Sequence, residues 1–305
     1  MTLEQLRIFV AVAERQHMTQ AAHELNLTQS AASSAIAALE ERYAVKLFDR
    51  IGRRIELTDS GRTFLIEARA VLARATAAEK ALADLAGLKC GSLSIWASQT
   101  IVNYWLPPFL AIFYHRYPDV DLKVKAANTQ QVAAATHDGA ADIGFIEGPI
   151  ADPHLSVSKI DGDHLIVVVA VNHPLAGKER VNAADLKAMK WVLREQGSGT
   201  RAEFEAALKS HAVEPSALEV VLELPSNEAV CAAVEAGVGA TAISNLAAEA
   251  GLLSGRLVAL DFPLPRRPFY ALRHKERYLS HAATALLELV GASASPTARP
   301  REKAV

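Results

Sequence analysis

Apolar residues in the first sixty positions recur every three or four residues and predict three short helices, at 3–15, about 19–25 and 29–43. We expect Thr19 and Thr28 to cap the second and third helices, because a threonine hydroxyl accepts hydrogen bonds from the first helical N–H groups. Two short helices joined by a tight turn, the first carrying the small pair Ala21–Ala22, are typical of a helix-turn-helix. A generic helical bundle gives the same spacing, so the pattern alone leaves both interpretations open.

A basic turn follows the third helix and separates two extended segments that end at Phe48 and begin at Ile55. This turn contains Arg50, Arg53 and Arg54, and basic residues outnumber acidic ones between positions 42 and 62. Such a cluster is usually a solvated surface, and it indicates DNA only beside a motif that can place it there. Next to a helix-turn-helix, it predicts a winged helix with a positive wing.

A long helix is predicted at 59–85, with Thr58 as its cap. Its apolar residues alternate at spacings of four and three, which is the repeat of a helix that pairs with another helix. This seam predicts a dimerisation helix, whereas packing of the helix on its own domain is the alternative. The seam consists of Phe64, Ala68, Val71, Ala75, Ala78, Leu82 and Leu85. The segment 87–91 would be the hinge that follows.

From residue 93 to 290, short apolar strands alternate with helices, which predicts an α/β region with mostly parallel sheets. The strands fall into two sets, and a strand near 266–273 returns to the first set. We therefore expect two lobes, lobe I at about 91–162 and 266–292 and lobe II at about 163–265. Residues 293–305 have the composition of a disordered tail.

Residues throughout the first sixty positions resemble the N-terminal signature of LysR-type transcriptional regulators, and the resemblance extends to about residue 290. It rests on Phe9, Val12-Ala13-Glu14, Thr19, Ala21-Ala22, Leu25, Thr28-Gln29-Ser30-Ala31, Ser33, Ile36, Leu39-Glu40, Leu47-Phe48, Arg50, Leu57-Thr58 and Gly61. The resemblance implies a winged helix-turn-helix domain at 1–58, a linker helix and hinge at 59–90, and a two-lobed effector domain like that of periplasmic binding proteins at 91–292. It also implies a homodimer or homotetramer, double-stranded promoter DNA as partner, and contact with RNA polymerase.

The DNA contacts are expected at the start of the third helix and in the wing. Side chains at the start of a recognition helix reach base edges in the major groove, so the candidates there are Thr28, Gln29, Ser30, Ser33 and Ser34. Arg50, Arg53 and Arg54 are expected on phosphates or in the minor groove, where they add affinity more than sequence choice. Ala44 departs from the glycine that is usual there in the family. If its backbone is left-handed, alanine costs about 1 kcal/mol.

Polar residues follow several strands of the α/β region, where parallel sheets bind ligands. Hydroxyls and N–H groups at helix starts form anion sites, and glycines allow close approach of the backbone. Helix capping explains any one of these residues, but it explains their convergence less well. The candidates are Ser98, Gln99, Thr100, Asn128, Thr129, Glu147, Glu195, Ser198, Gly199, Thr200, Arg201 and Asn227. Arg201 is the expected cationic partner, with a surface ion pair as its alternative.

The effector is expected to be a small anion or a carboxylate. The segments 142–149 and 193–201, DIGFIEGP and LREQGSGTR, resemble the sulfur-assimilation branch of the family, which includes sulfite-responsive regulators, and resemble carbon-fixation regulators more distantly. The first choice is therefore a small oxyanion such as sulfite. An organic carboxylate or another metabolite is the alternative.

Composition excludes several other classes of protein. Half of the residues are hydrophobic and 22% are charged, which is typical of a folded chain. The longest apolar run, 165–171, is too short to cross a membrane, and no secretory signal is visible. Two isolated cysteines, Cys90 and Cys231, are typical of a protein in the reducing cytoplasm.

The sequence contains no P-loop, dinucleotide fingerprint, catalytic pairing or metal-ligand spacing. We therefore expect neither an enzyme nor a metal site, and no cofactor beyond the effector. An exported solute-binding protein would lack the DNA reader.

Overall fold

The computed structural model describes residues 1–51, 54–85, 91–148 and 150–292. The chain divides into two compact units near residue 87. The predicted hinge at 87–91 lies almost wholly outside the described residues, and the predicted tail at 293–305 lies wholly outside them.

The first unit contains three short helices, a two-stranded hairpin and a long helix. In chain order these are α1 (Leu3–Arg15), α2 (Met18–Glu24), α3 (Gln29–Tyr43), β1 (Phe48–Ile51), β2 (Arg54–Leu57) and α4 (Asp59–Leu85). Phe9 is fully buried at the centre of this unit, where its ring contacts those of Phe48 and Phe64. Ala21 and Ala32 are also fully buried, and their small size lets α2 and α3 approach each other and α1 closely.

Two helix ends in this unit bear on the sequence predictions. α2 is capped by His17, whose Nδ1 accepts a hydrogen bond from the N–H of Gln20. The prediction of Thr19 as the cap was wrong, because the helix begins one residue before it. Ala44 follows α3 with φ 53°, so alanine does occupy a left-handed position there.

The second unit begins with most of lobe I and continues into lobe II. Lobe I contains β3 (Gly91–Ser98), a π-helical turn (Ile101–Trp105), α5 (Pro107–Arg116), β4 (Val120–Ala127), α6 (Thr129–Asp138) and β5 (Ile143–Glu147). β6 (Leu155–Ala170) runs from lobe I into lobe II. The core of lobe I is formed by the fully buried Leu93, Ile95, Phe113, Phe145 and Phe269.

Lobe II surrounds the second half of β6. It contains α7 (Ala183–Ala188), β7 (Lys190–Arg194), α8 (Gly199–Ser210), a 3-10 turn (Pro215–Ala217), β8 (Glu219–Leu224), α9 (Asn227–Glu235), β9 (Thr241–Ser244), α10 (Asn245–Leu253) and β10 (Leu257–Leu260). β11 (Arg266–His274) and α11 (His281–Ala292) then return to lobe I. The rings of Trp191 and Phe204 contact each other at a tilt of 36° in the core of lobe II, with centroids 4.9 Å apart.

The sheets are mixed, so the prediction of mostly parallel sheets was wrong. β3 pairs in parallel with β4 and β5, and β7 pairs in parallel with β8. β11 is antiparallel to both β5 and β6, and β6 is antiparallel to β9 and β10. The physical reason is that β6 and β11 cross between the lobes in opposite directions, which places antiparallel ladders at the centre of the fold. The α/β architecture with an N-terminal helix-turn-helix is otherwise as predicted.

Candidate functional site

The start of α3 presents polar side chains on the surface of the first unit. Thr28 caps this helix, since its hydroxyl accepts a hydrogen bond from the N–H of Ala31 at 3.2 Å, and it also contacts the hydroxyl of Ser30 at 3.0 Å. Gln29 and Ser34 are exposed and Ser33 is half-buried. The opposite side of α3 is fixed in the core by its buried residues, Ala32, Ile36 and Leu39. The predicted DNA-contacting side chains of this helix therefore share its outward surface.

Glu40 connects this helix to the wing, a role that the sequence patterns did not show. Its carboxylate accepts hydrogen bonds from the backbone N–H groups of Leu47 and Phe48 and from Lys46 Nζ, at 2.8 to 3.2 Å. Burial alone would raise the pKa of Glu40, but these three hydrogen bonds outweigh it and lower the pKa. The wing itself is an antiparallel hairpin of β1 and β2. The side chains of its predicted contacts, Arg50, Arg53 and Arg54, lie outside the described residues.

The long helix α4 begins as predicted, but it uses part of its seam within its own unit. Thr58 caps it by accepting a hydrogen bond from the N–H of Gly61 at 2.9 Å. The ring of Phe64 lies 4.8 Å from that of Phe9, and Ala68 is 1% exposed in the same core. The prediction of Ala68 as a dimer contact was wrong, because this residue is buried in the helix-turn-helix core. Phe64 contacts that core but is only half-buried, so its role in a dimer stays a prediction.

The rest of the predicted seam is more accessible. Val71 is 41% exposed, Leu82 is 68% exposed, Ala78 is exposed and Ala75 is half-exposed. The side chain of Leu85 lies outside the described residues. An exposed leucine and valine on one long helix are consistent with burial against a second chain.

The predicted effector residues of the two lobes meet directly. The amide of Asn128 donates to Glu195 Oε1 at 3.4 Å, and the N–H of Asn227 donates to Gln99 Oε1 at 3.0 Å. Asn227 Nδ2 also donates to Thr100 Oγ1 at 3.2 Å. Helix starts from both lobes therefore border one region, which we call the effector cleft. It is defined by the predicted residues other than Arg201.

Glycines allow this close approach. A Cβ atom on Gly199 would lie 2.5 Å from Thr129 Oγ1 and 2.8 Å from the carbonyl oxygen of Glu147, distances that real Cβ atoms do not show. Gly197 has a φ of +86°, which an L side chain rarely adopts. Its carbonyl accepts a hydrogen bond from the N–H of Gln130. The segment GSGT of lobe II therefore fits against lobe I only because two of its residues lack side chains.

Most hydroxyls of the effector cleft are buried, and one of them has no partner. Thr100, Thr129, Ser198 and Thr200 are each at most 9% exposed. Ser98 ends β3 at 3% exposure, and its Oγ makes no hydrogen bond with any described residue. A buried hydroxyl left unpaired costs about 1–3 kcal/mol, which makes Ser98 a candidate contact for a bound molecule.

Arg201, the predicted cationic partner of the effector, is paired with carboxylates of its own lobe. Arg201 bonds to the carboxylates of Glu205 and Glu223 and to the carbonyl oxygen of Arg194. The ion pair, which the sequence left as the alternative, is what the structure shows for Arg201. The reason is that Arg201 lies two residues into α8, where a carboxylate one turn later and another on β8 are within reach.

Arg267 is the buried cation that the sequence analysis missed. It is 1% exposed and donates to both oxygens of Asp163, at 2.7 and 2.6 Å, and to Thr200 Oγ1 at 2.9 Å. Burial opposes its charge, but Asp163, Glu147 and Glu203 together keep its pKa raised. It escaped notice because it stands in a basic, proline-containing segment whose pattern shows only a strand.

Carboxylates outnumber cations around Arg267. Glu147 Oε1 lies 3.9 Å from Arg267 and Glu147 Oε2 accepts a hydrogen bond from Thr129. Burial raises the pKa of Glu203, Arg267 opposes this rise, and Glu147 and Asp163 add to it. Arg194 is similarly neutralised by Glu195, and it also donates a hydrogen bond to Asn227 Oδ1. Both buried arginines are therefore already paired.

Comparison with protein families identifies both parts of the chain. Residues 3–62 match the bacterial regulatory helix-turn-helix protein family of LysR type, and residues 86–295 match the LysR substrate binding domain. The chain belongs to the LysR family. It is therefore a DNA-binding transcriptional regulator with an effector-binding domain.

Three similar proteins illustrate the relationship. The chain is 36% identical over 289 residues to the uncharacterized HTH-type transcriptional regulator YeiE of Escherichia coli K12, covering 94% of this chain and 96% of YeiE. It is 33% identical over 292 residues to the RuBisCO operon transcriptional regulator of Allochromatium vinosum, covering 95% of each. The crystal structure of full-length CbnR with its target DNA has the same fold, with a TM-score of 0.69 at 23% identity, covering 96% of this chain and all of CbnR.

Two kinds of feature are absent from the residues that the structure describes: a membrane-spanning helix and a metal site. No helix there is long and apolar enough to cross a membrane. No group of three or more histidine, cysteine, aspartate or glutamate side chains in those ranges is arranged to hold a metal ion.

Proposed function

We propose that the effector cleft binds a small inorganic oxyanion, with sulfite as the first candidate, and that this binding controls how the regulator engages its promoter. The single observation that carries the proposal is Ser98 Oγ, a buried hydroxyl without a partner, at the edge where helix starts of both lobes meet. An oxyanion supplies the acceptor that Ser98 lacks.

The hydrogen-bond donors that the cleft offers are uncharged N–H and hydroxyl groups. Such donors favour a small oxyanion over a ligand that must pair with an unoccupied lysine or arginine. The first hydrogen bond of α8 runs from the N–H of Ala202 to the carbonyl oxygen of Ser198, so the helix itself leaves the N–H groups of residues 199–201 unused. These groups and the helix dipole attract an anion. Both buried arginines are already paired, and Arg267 reaches the cleft through Thr200. If the oxyanion carries an O–H group, that group would donate a hydrogen bond to the carboxylate of Glu147.

The polar side chains on the outward surface of α3 support a proposal for the DNA contacts. We infer that Gln29 reads an adenine through paired hydrogen bonds, and that Ser30, Ser33 and Ser34 contact neighbouring bases or phosphates. Thr28 positions the helix start. Arg50, Arg53 and Arg54 of the wing hold phosphates or the adjoining minor groove, and therefore set the salt dependence of binding.

The assembly follows from α4. We infer that Val71, Ala75, Ala78, Leu82 and Leu85 pair with a second chain, and that pairs of dimers form a tetramer that presents its DNA readers to separate half-sites. Closure of the two lobes on the effector would change the spacing of these readers and hence the DNA bend. Contact with RNA polymerase belongs to the same proposal.

A thermal-shift experiment on the full-length protein tests the effector. We expect sulfite to raise the melting temperature in proportion to the logarithm of its concentration, and to do so more strongly than sulfate or small carboxylates. Ser98→Ala should remove this shift without lowering the melting temperature of the ligand-free protein, because the lost hydroxyl has no partner there. Ser254→Ala, on the surface of lobe II, is the matched control and should respond like the wild type.

The outcomes are distinct. A larger shift with an organic carboxylate than with sulfite would favour the alternative effector. A full sulfite shift in Ser98→Ala would remove the cleft from the proposal.

A further inference from the structure

A second cavity lies beside the two strands that connect the lobes. It has a volume of about 680 Å³, within the range of pockets that bind small molecules. Its walls come from residues 159–164 of β6, residues 266–268 of β11 and the first turn of α10. Among the described residues, none of those that define the effector cleft lines it. It is therefore a separate space in the same unit.

The lining of this cavity carries excess positive charge. Lys159, His164 and Arg266 are exposed, and Arg266 pairs directly with His164 across the two strands, so their side chains leave the sheet on the same face. Of the two carboxylates in the lining, one is neutralised by a buried arginine and the other accepts a hydrogen bond from a tryptophan, so Lys159, Arg266 and Arg267 still outnumber them. Asp163 binds Arg267 through both oxygens, and Asp161 accepts a hydrogen bond from Trp105 Nε1 at 2.7 Å. The basic side chains thus remain available to an anion.

The spacing of these bases indicates the shape of that anion. Lys159 and His164 are five residues apart on β6, with one irregularity in register between them, which separates their Cα atoms by about 15 Å. A single inorganic oxyanion is only a few ångströms wide, so it can contact the basic side chains at only one end of the cavity. An extended molecule with an anionic group at each end contacts both, because lysine and arginine side chains each reach several ångströms inward.

We propose that this cavity is a second ligand site, for an extended organic dianion such as a dicarboxylate, held by Lys159 at one end and by Arg266 and His164 at the other. Asp163 lines the cavity and binds Arg267, which donates to Thr200 in the effector cleft. A ligand here therefore changes the affinity of the effector cleft, and by linkage the effector changes the affinity here. This coupling rests on the proposed function, whereas the binding itself does not.

Isothermal titration calorimetry on the full-length protein at constant ionic strength tests the binding, with glutarate, adipate and pimelate as probes. We expect the best of these to bind at least tenfold more tightly than hexanoate, which has only one charge. Replacement of both bases, Lys159→Ala with Arg266→Ala, should weaken that binding at least tenfold. Arg273→Ala removes an arginine from the same strand outside the cavity and should have no effect.

The proposal is overturned if no dicarboxylate binds the wild type, if hexanoate binds equally well, or if the double variant binds as the wild type does. Ser98→Ala separates the two sites. If it abolishes dicarboxylate binding, the probe occupies the effector cleft and the second site does not exist. If it abolishes only the sulfite response, the two sites are distinct. Failure of sulfite to bind anywhere would leave the dicarboxylate result standing by itself.

Discussion

Arg267 and Asp163 form a two-point ion pair at the crossing of the strands that connect the lobes, with N–O distances of 2.7 and 2.6 Å. Both side chains are 1% exposed. Asp163 also accepts a hydrogen bond from Ser244, at the start of α10, and Arg267 donates to Thr200, at the start of α8. One buried pair thus links both connecting strands to two helix starts of lobe II.

Removing one member of this pair should destabilise the effector domain strongly. We expect Arg267→Met to lower the free energy of unfolding by about 3–5 kcal/mol, because it leaves the Asp163 carboxylate buried without a cation. Replacing both residues, Arg267→Met with Asp163→Leu, should cost less than Arg267→Met alone. Urea denaturation followed by tryptophan fluorescence measures this, and Arg266→Met is the exposed control. Additive effects of the two replacements would show that the pair is not coupled.

Gly199→Ala should keep the lobes from meeting around the effector. The new methyl group would fall within 2.8 Å of both Thr129 Oγ1 and the carbonyl oxygen of Glu147, so the start of α8 must move away from lobe I. We expect at least a tenfold loss of effector affinity in the thermal-shift assay, with unchanged binding of promoter DNA in the absence of effector. Gly177→Ala is the matched control, since nothing lies within 4 Å of its Cβ position. An unaltered effector response in Gly199→Ala would contradict the close approach.

Glu40 should make the wing sensitive to acid. Its pKa is lower in the folded protein than its ordinary value of 4.5, so its carboxylate stabilises the fold above that value. This contribution disappears as the pH falls through the lowered pKa of the folded state. We expect Glu40→Gln to speed hydrogen exchange of the Leu47 and Phe48 amides at pH 7, and the difference from the wild type to shrink as the pH falls below 4.5. Glu41→Gln, at the exposed neighbouring residue, is the control. Equal exchange rates at pH 7 would show that the carboxylate does not hold this segment.

Two alanines in left-handed backbone should be improved by glycine. Ala44 and Ala212 have φ of 53° and 55°, and both follow a helix. Replacement of either by glycine relieves steric strain of about 1 kcal/mol, partly offset by the greater freedom of glycine in the unfolded chain. We expect Ala44→Gly and Ala212→Gly each to raise the stability of their own unit in denaturant titrations. Ala31→Gly, within a helix, should instead lower it. A loss of stability at both left-handed sites would contradict this backbone geometry.

The elements of the fold were predictable where a local pattern determines them. The bounds of α1, α3 and α4 follow from periodicity and from threonine caps such as Thr58, because these act within a few residues. The first half of β6 was not recognised, since Lys159, Asp161 and Asp163 interrupt its apolar pattern. These charges are tolerated because their partners, such as Trp105 and Arg267, are distant in sequence. The direction of β11 likewise depends on where the chain returns, which local periodicity does not encode.

The same distinction applies to the effector cleft. Ser98, Thr129 and Thr200 were predictable because each stands where a strand ends and a helix begins, a position visible in the sequence. Arg267 was not, because it lies inside a strand and reaches the cleft only through contacts with residues about 70 and 100 positions away. The contacts of Phe64 and Ala68 with the core of their own unit were missed for a related reason. A repeat of four and three residues marks one face of a helix, but it does not say whether the partner of that face is another chain or the helix's own domain.

The exposed part of that face supports a final prediction. Leu82 is 68% exposed near the end of α4, and a leucine in that position gains about 1.5–3 kcal/mol per chain if a partner buries it. We expect Leu82→Glu to place like charges opposite each other in a paired helix and to shift the protein towards monomer in analytical ultracentrifugation. Binding to a two-half-site promoter fragment should weaken in parallel, because paired half-sites require paired readers. Leu253→Glu changes a leucine on α10 of lobe II that is 82% exposed, so it controls for the charge itself. If both variants sediment like the wild type, the dimer contact lies elsewhere on the chain.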